Sequence, residues 1–154
     1  MAVRLSTGFR NLILGEDSFR TIFDFGVIHI YTGAQPVSAD NAVSGTLLGK
    51  VTVDGEPFTF GTEDNGLQFA APDDGVISKV EGDLWQLIGE ANGNAGWGRL
   101  MGNALDNLGS SESLPRIDFS IGTSGADLIL NNVAIATGAR TTIDTFRYRI
   151  LAQD

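Results

Sequence analysis

The hydrophobic positions change their spacing once along the chain. Within residues 1–26, Phe9, Leu12 and Ile13 fall at i, i+3, i+4, and Phe19, Ile22 and Phe23 repeat that spacing after Gly15 and Ser18. Such spacing places side chains on one face of a helix. The pattern predicts two short helical pieces, the second capped by Ser18 and closed by Gly26. Each is shorter than the ~12–15 residues an isolated helix needs, so both require a surface to lie on. That surface is either the domain's own core or a neighbouring subunit.

From Val27 onward the pattern becomes short β-branched and aromatic runs cut by Gly, Asn, Asp and Pro. The predicted strands are Val27–Tyr31, Thr46–Val53, Phe58–Phe60, Leu67–Ala71, Val76–Glu81, Trp85–Ala91, Ala95–Met101, Arg116–Ile121, Asp127–Leu130 and Thr142–Leu151. Regular short strands with turn residues between them predict an all-β sandwich or barrel, of which an antiparallel β-sandwich is the expected fold. Asp54-Gly55, Asn65-Gly66, Asp74-Gly75 and Asn92-Gly93 sit at the breaks, where tight turns need positive φ.

Several strands alternate. Ile117, Phe119 and Ile121 oppose Arg116, Asp118 and Ser120; Phe146, Tyr148 and Ile150 oppose Arg147 and Arg149. This predicts sheets with one buried and one solvated face. If Gly93-Asn94 is a two-residue turn, Leu87 faces Leu100 and Gly89 faces Gly98. One face is then apolar or small, and the other carries Trp97, Arg99 and Met101, which is interface chemistry where it is exposed. Gly102–Pro115 reads as a long surface loop.

The chain's 154 residues fit one core, and a domain of this size needs no disulfide or metal staple. It has no Cys and one His, which excludes thiol chemistry, cysteine zinc sites and multi-histidine metal sites. The net charge of −9 argues against nucleic-acid binding. No run approaches the ~20 apolar residues of a membrane helix, and Met1-Ala2-Val3-Arg4 opens no secretory signal, so a soluble protein made inside a cell is expected. The charge is uneven. Residues 1–26 are neutral, whereas 54–118 hold twelve acids against Lys79, Arg99 and Arg116, a net of −9. Eight of the ten bases are Arg, the cation favoured in interfaces.

Candidate chemistry is sparse. His29 is the only side chain able to serve as the base of a nucleophilic triad, and it sits in the strand-like run Val-Ile-His-Ile-Tyr. Gly122-Thr123-Ser124-Gly125 is not a nucleophile elbow. The carboxylates lie beside Gly and Asn in turns, without the spacing of a Ca²⁺ loop. No cofactor and no enzymatic activity are expected.

Val27–Pro36 (VIHIYTGAQP), Ser38-Ala39-Asp40, Gly45–Gly49 (GTLLG), Ala95–Leu100 (AGWGRL), Pro115–Asp118 (PRID), Gly122–Leu128 (GTSGADL) and Ile135–Gly138 (IATG) before Thr141-Thr142-Ile143 together resemble a family of small tailed-bacteriophage virion proteins. The resemblance spans about residues 19–150 and implies a virion component. By analogy of size and class, it implies a capsid decoration (cement) protein. Such a protein has a jelly-roll-like β fold, is made in the host cytoplasm, and binds the major capsid protein on the capsid surface as a homodimer or homotrimer, without nucleic acid or membrane. A tail, neck or baseplate component is the alternative. A carbohydrate-binding β-sandwich using Trp85 or Trp97 as a sugar platform is the reading from another class.

The expected division is an N-terminal helical docking segment, 1–26, and a β domain, 27–154. The expected interface residues are Phe9, Leu12, Phe19, Phe23 and Phe25 on the first, and Trp97, Arg99 and Met101 on the second.

Overall fold

Two serines start the helices. The Ser6 hydroxyl accepts from Phe9 N–H at the head of α1 (Thr7–Gly15), and the Ser18 hydroxyl accepts from Thr21 N–H at the head of α2 (Phe19–Phe23). Each occupies one of the donors a helix start leaves unpaired. Ser6 is also fully buried: its hydroxyl accepts from Arg116 N–H and donates to Leu114 O. The computed structural model, which describes residues 3–152, has the rest of its regular structure in short strands joined by loops.

Eleven short strands form: β1 (Arg4–Leu5), β2 (Val27–Thr32), β3 (Leu47–Val53), β4 (Val76–Ser78), β5 (Trp85–Ile88), β6 (Gly93–Met101), β7 (Arg116–Gly122), β8 (Leu128–Ile129), β9 (Ala134–Ile135), β10 (Arg140–Ile143) and β11 (Arg147–Arg149). One large sheet runs β1-β7-β6-β2-β3-β5-β10, antiparallel at every step. β8 adds to β7 in parallel, and β9 adds to β6. β4 and β11 make a separate antiparallel pair. The fold is all-β with two short helices.

The core lies between one face of the large sheet and a layer made by the helices and the small sheet. Ile28, Ile30, Val51, Leu87, Leu100, Ile117 and Phe119 supply the sheet side; Phe9, Phe19, Phe23, Phe69, Ile77 and Phe146 supply the other. Aromatic rings dominate the contact: Phe19 packs edge-on against Phe69, Phe69 edge-on against Trp85, and Tyr148 stacks on Phe19. Gly98 makes this packing fit, because a Cβ there would lie 2.7 Å from the Phe119 ring.

Four expectations need correction. Residues 1–26 are not a separate docking segment, since Phe9, Phe19 and Phe23 belong to the same buried cluster as the sheet and β1 pairs with β7. The Gly93-Asn94 hairpin does not form: β6 begins at Gly93 and pairs with β2 and β7, while β5 pairs with β3 and β10. The face segregation read from that hairpin survives, because side-chain alternation does not depend on which strand lies alongside. Phe58–Phe60 is loop, and Leu67–Ala71 contributes only isolated bridges. Finally, Thr142–Leu151 is two strands in different sheets, broken at 144–146. The turn residues behave as expected at Asp54-Gly55 and Asp74-Gly75, where all four φ angles are positive.

Candidate functional site

The sheet's outer face carries an ionisable row. Strand register aligns Arg4 (β1), Asp118 (β7), Arg99 (β6), His29 (β2) and Lys50 (β3) straight across five strands. Arg99 donates from Nε and Nη2 to the two Asp118 carboxylate oxygens at 2.7 and 2.8 Å. Its guanidinium lies 5.5 Å from the centre of the Trp97 ring, and Trp97 stacks on Tyr31. His29 Nδ1 and the Tyr31 hydroxyl are 3.3 Å apart.

At its centre, over β2, β6 and β7, this face is not solvated, whereas Lys50 on β3 is exposed. Two long loops cover that centre, 33–46 and 102–115, and Arg116 clips both. Its Nε and Nη2 donate to the Asp106 carboxylate at 2.7 Å each, Nη2 also to Gly109 O at 2.7 Å, and Nη1 to Ala39 O and Asn41 O at 3.4 Å. Trp97 Nε1 donates to Ser44 O, and Arg4 Nη1 donates to Pro36 O. The loops also hold each other, through Val43 N–H to Leu108 O and Ser111 N–H to Asp40 O. The sheet is therefore buried on both faces over β6 and β7, apolar on one side and ionic on the other.

Burial sets the protonation states. It pushes the His29 imidazole down to about 4, and Lys50 and Arg99 on either side push the same way against Asp106. It pushes the Tyr31 phenol up to about 12. It also pushes the Asp118 carboxyl above its ordinary value, against the hydrogen bonds from Arg99. His29 is thus a neutral imidazole held between two cations, 4 % exposed, with its Nδ1 turned to the Tyr31 hydroxyl.

The expected interface residues are accounted for by this packing. Phe9, Phe19 and Phe23 are core, and Trp97, Arg99 and Met101 are fully buried beneath the loops. Neither set offers a partner a surface on the folded monomer. Leu12 and Phe25 are half-buried; Phe25 takes φ 63° and its carbonyl accepts from Asn103 Nδ2. Trp85 and Trp97 both have no exposed surface, so neither is a sugar platform. The acidic turns do not converge: among the described residues no three His, Cys, Asp or Glu side chains form a metal-holding group. Nor does any helix among them have the length and apolarity to cross a membrane. Asp106 and Asp118 are spent on buried arginines, which leaves the other ten acids of 54–118 at or near the surface.

The chain matches no protein-family model, no curated protein and no solved structure.

One surface feature has the form of a binding site. A groove of about 350 Å³ opens between β8 and β11, floored by the core side chains Ile117, Phe119, Leu128 and Phe146. Both of its banks are unpaired strand edges. In the β4–β11 ladder, Lys79 N–H bonds Phe146 O and Ile150 N–H bonds Gly75 O. Bonding alternates along an antiparallel strand, so the backbone groups of Arg147 and Arg149 point away from β4. On the other bank Leu130 N–H bonds Gly122 O, which leaves Ile129 N–H and C=O directed away from β7. Ile129 is half-exposed. Sequence reading found the Arg147/Arg149 face of the last strand, but not that its edge borders an open stretch of core.

Proposed function

We propose that this chain is a structural component of a tailed-bacteriophage particle, in the first place a capsid decoration protein that binds and stabilises the head shell. The observation that carries the reading is the sequence resemblance over about residues 19–150, whose segments fold into the sheet centre. Val27–Thr32, Ala95–Leu100 and Arg116–Asp118 lie in β2, β6 and β7, and include both Arg99 and Asp118. The resemblance is thus one of scaffold. The rest of the chemistry supports a role in binding: the sole histidine, Arg99, Arg116 and their carboxylates are committed to internal packing. A jelly-roll-like sandwich, with β4 and β11 in the second layer, is the finer fold belonging to this reading.

In this role the acidic surface of 54–118 faces water, and contact with the capsid uses exposed strand edges in place of the N-terminal segment. Quantitative mass spectrometry of purified particles tests it. A copy number on the scale of the capsid lattice is the expected result. A single ring's worth, about six to twelve copies, moves the assignment to neck or baseplate. Absence from the particle overturns it.

A further inference from the structure

We infer that the groove between β8 and β11 accepts an extended strand from a partner protein, apolar at alternate residues and acidic at those between. The inference does not depend on the particle reading.

Three observations converge on an extended strand. The groove's floor is hydrophobic core: Ile117, Phe119, Leu128 and Phe146 are each no more than 8 % exposed, yet line an opening to solvent. The banks present outward backbone donors and acceptors from Ile129 on one side and Arg147 on the other, and Arg149 carries the β11 edge on past the groove's lining. Among the described residues, no hydrogen bond from Ile129, Arg147 or Arg149 N–H to a loop or turn closes either edge. A strand laid between them pairs with both edges and covers the floor with every second side chain, which is how sheet-edge addition gains both affinity and specificity.

The charges choose the partner. Tyr148 turns into the core against Phe9 and Phe19, so Arg147 and Arg149 project from the opposite, exposed face. Among the described residues the ion pairs are Arg20–Asp24, Arg99–Asp118 and Arg116–Asp106; neither Arg147 nor Arg149 has one. Two carboxylates, Asp127 and Asp144, share the rim; Asp127 turns to Ser120, whose N–H and hydroxyl both donate to its Oδ2, so the acidic positions of an incoming strand belong on the Arg147 bank. A second copy pairing β11 against β11 sets these arginines against each other in the central registers, and like charges directly opposite are destabilising. An incoming strand with acids at the positions facing Arg147 and Arg149 is favoured instead.

The test uses the full chain and two capped peptides, Val-Glu-Val-Glu-Val and Val-Lys-Val-Lys-Val, followed by calorimetric titration and amide hydrogen exchange. The acidic peptide is expected to bind about tenfold more tightly than the basic one and to slow exchange at Ile129, Arg147 and Arg149. The double substitution Arg147→Glu/Arg149→Glu reverses the order, and Ile129→Pro, which removes one outward donor, weakens both. Thermal melting confirms that each variant is folded. Equal affinity for the two peptides, no binding at millimolar peptide, or protection of these amides by self-association of the free protein overturns the inference.

Discussion

Arg99 and Asp118 face each other across β6 and β7, joined by two hydrogen bonds, with no exposed surface on either side chain. Removing one partner leaves the other charge buried and uncompensated. Arg99→Met or Asp118→Leu alone is expected to cost about 3–5 kcal/mol, while the double replacement recovers most of that loss. Urea unfolding of the two single variants and the double closes the cycle. Additive losses would show that the pair does not act as a unit.

His29 makes stability depend on pH in a defined direction. Its folded pKa of about 4 lies below the ordinary 6.5, so the fold favours the neutral ring. The contribution is complete above pH 6.5 and is lost as pH falls from 6.5 towards 4, by up to about 3 kcal/mol. Asp118, held above its ordinary value, acts with the opposite sign just above the usual aspartate range. Urea midpoints at pH 7 and pH 5 should therefore separate for the native chain and converge for His29→Phe.

Among the described residues, Arg116 is the cation that hydrogen-bonds both loops. Lys cannot reproduce its fork, so Arg116→Lys should release 33–46 and 102–115 together at a cost of about 2–3 kcal/mol. Limited proteolysis should then cut both loops sooner, with no new cuts in β3 or β5. Cleavage of only one loop would show that they are anchored separately.

Phe9 and Phe23 are 1 % and 0 % exposed within the common core. Phe9→Ala and Phe23→Ala should each cost about 3–5 kcal/mol. Deleting residues 1–26 should unfold the chain, because the remaining strands lose the layer that covers them. A cooperative thermal transition and intact near-ultraviolet dichroism in the deletion variant would overturn this.

The sequence shows the local half of this architecture. Alternation in Arg116–Ile121 reveals which side chains share a face, because a two-residue period is written into one strand. The helical spacing of Phe9, Phe19 and Phe23 reveals a stripe, and the capping role of Ser18 follows from its chemistry. What the stripe lies on, and which strands are neighbours, depend on pairings distant in sequence that no local pattern encodes. Burial of the outer face was hidden because its cover is aperiodic: Gly102–Pro115 has the composition of a surface loop, yet Asp106 within it is 5 % exposed. One sign was present. Arg99 alternates onto the same face as Trp97 and Met101, and a cation flanked by two large apolar side chains needs either water or a buried anion. Likewise, the open groove arises where β8 and β11 fail to meet, a relation between two strands that neither sequence shows.

The ring contacts of Tyr148 bear on how the chain comes together. Phe9 and Phe19, made first, complete their packing only against a residue of the last strand. Through most of synthesis that last ring contact is missing, and assembly is governed by contacts between distant parts of the chain, a topology that slows folding. A polypeptide halted before β11 would emerge with the Tyr148 side of that aromatic cluster bare, making truncation products of this protein natural clients for chaperones.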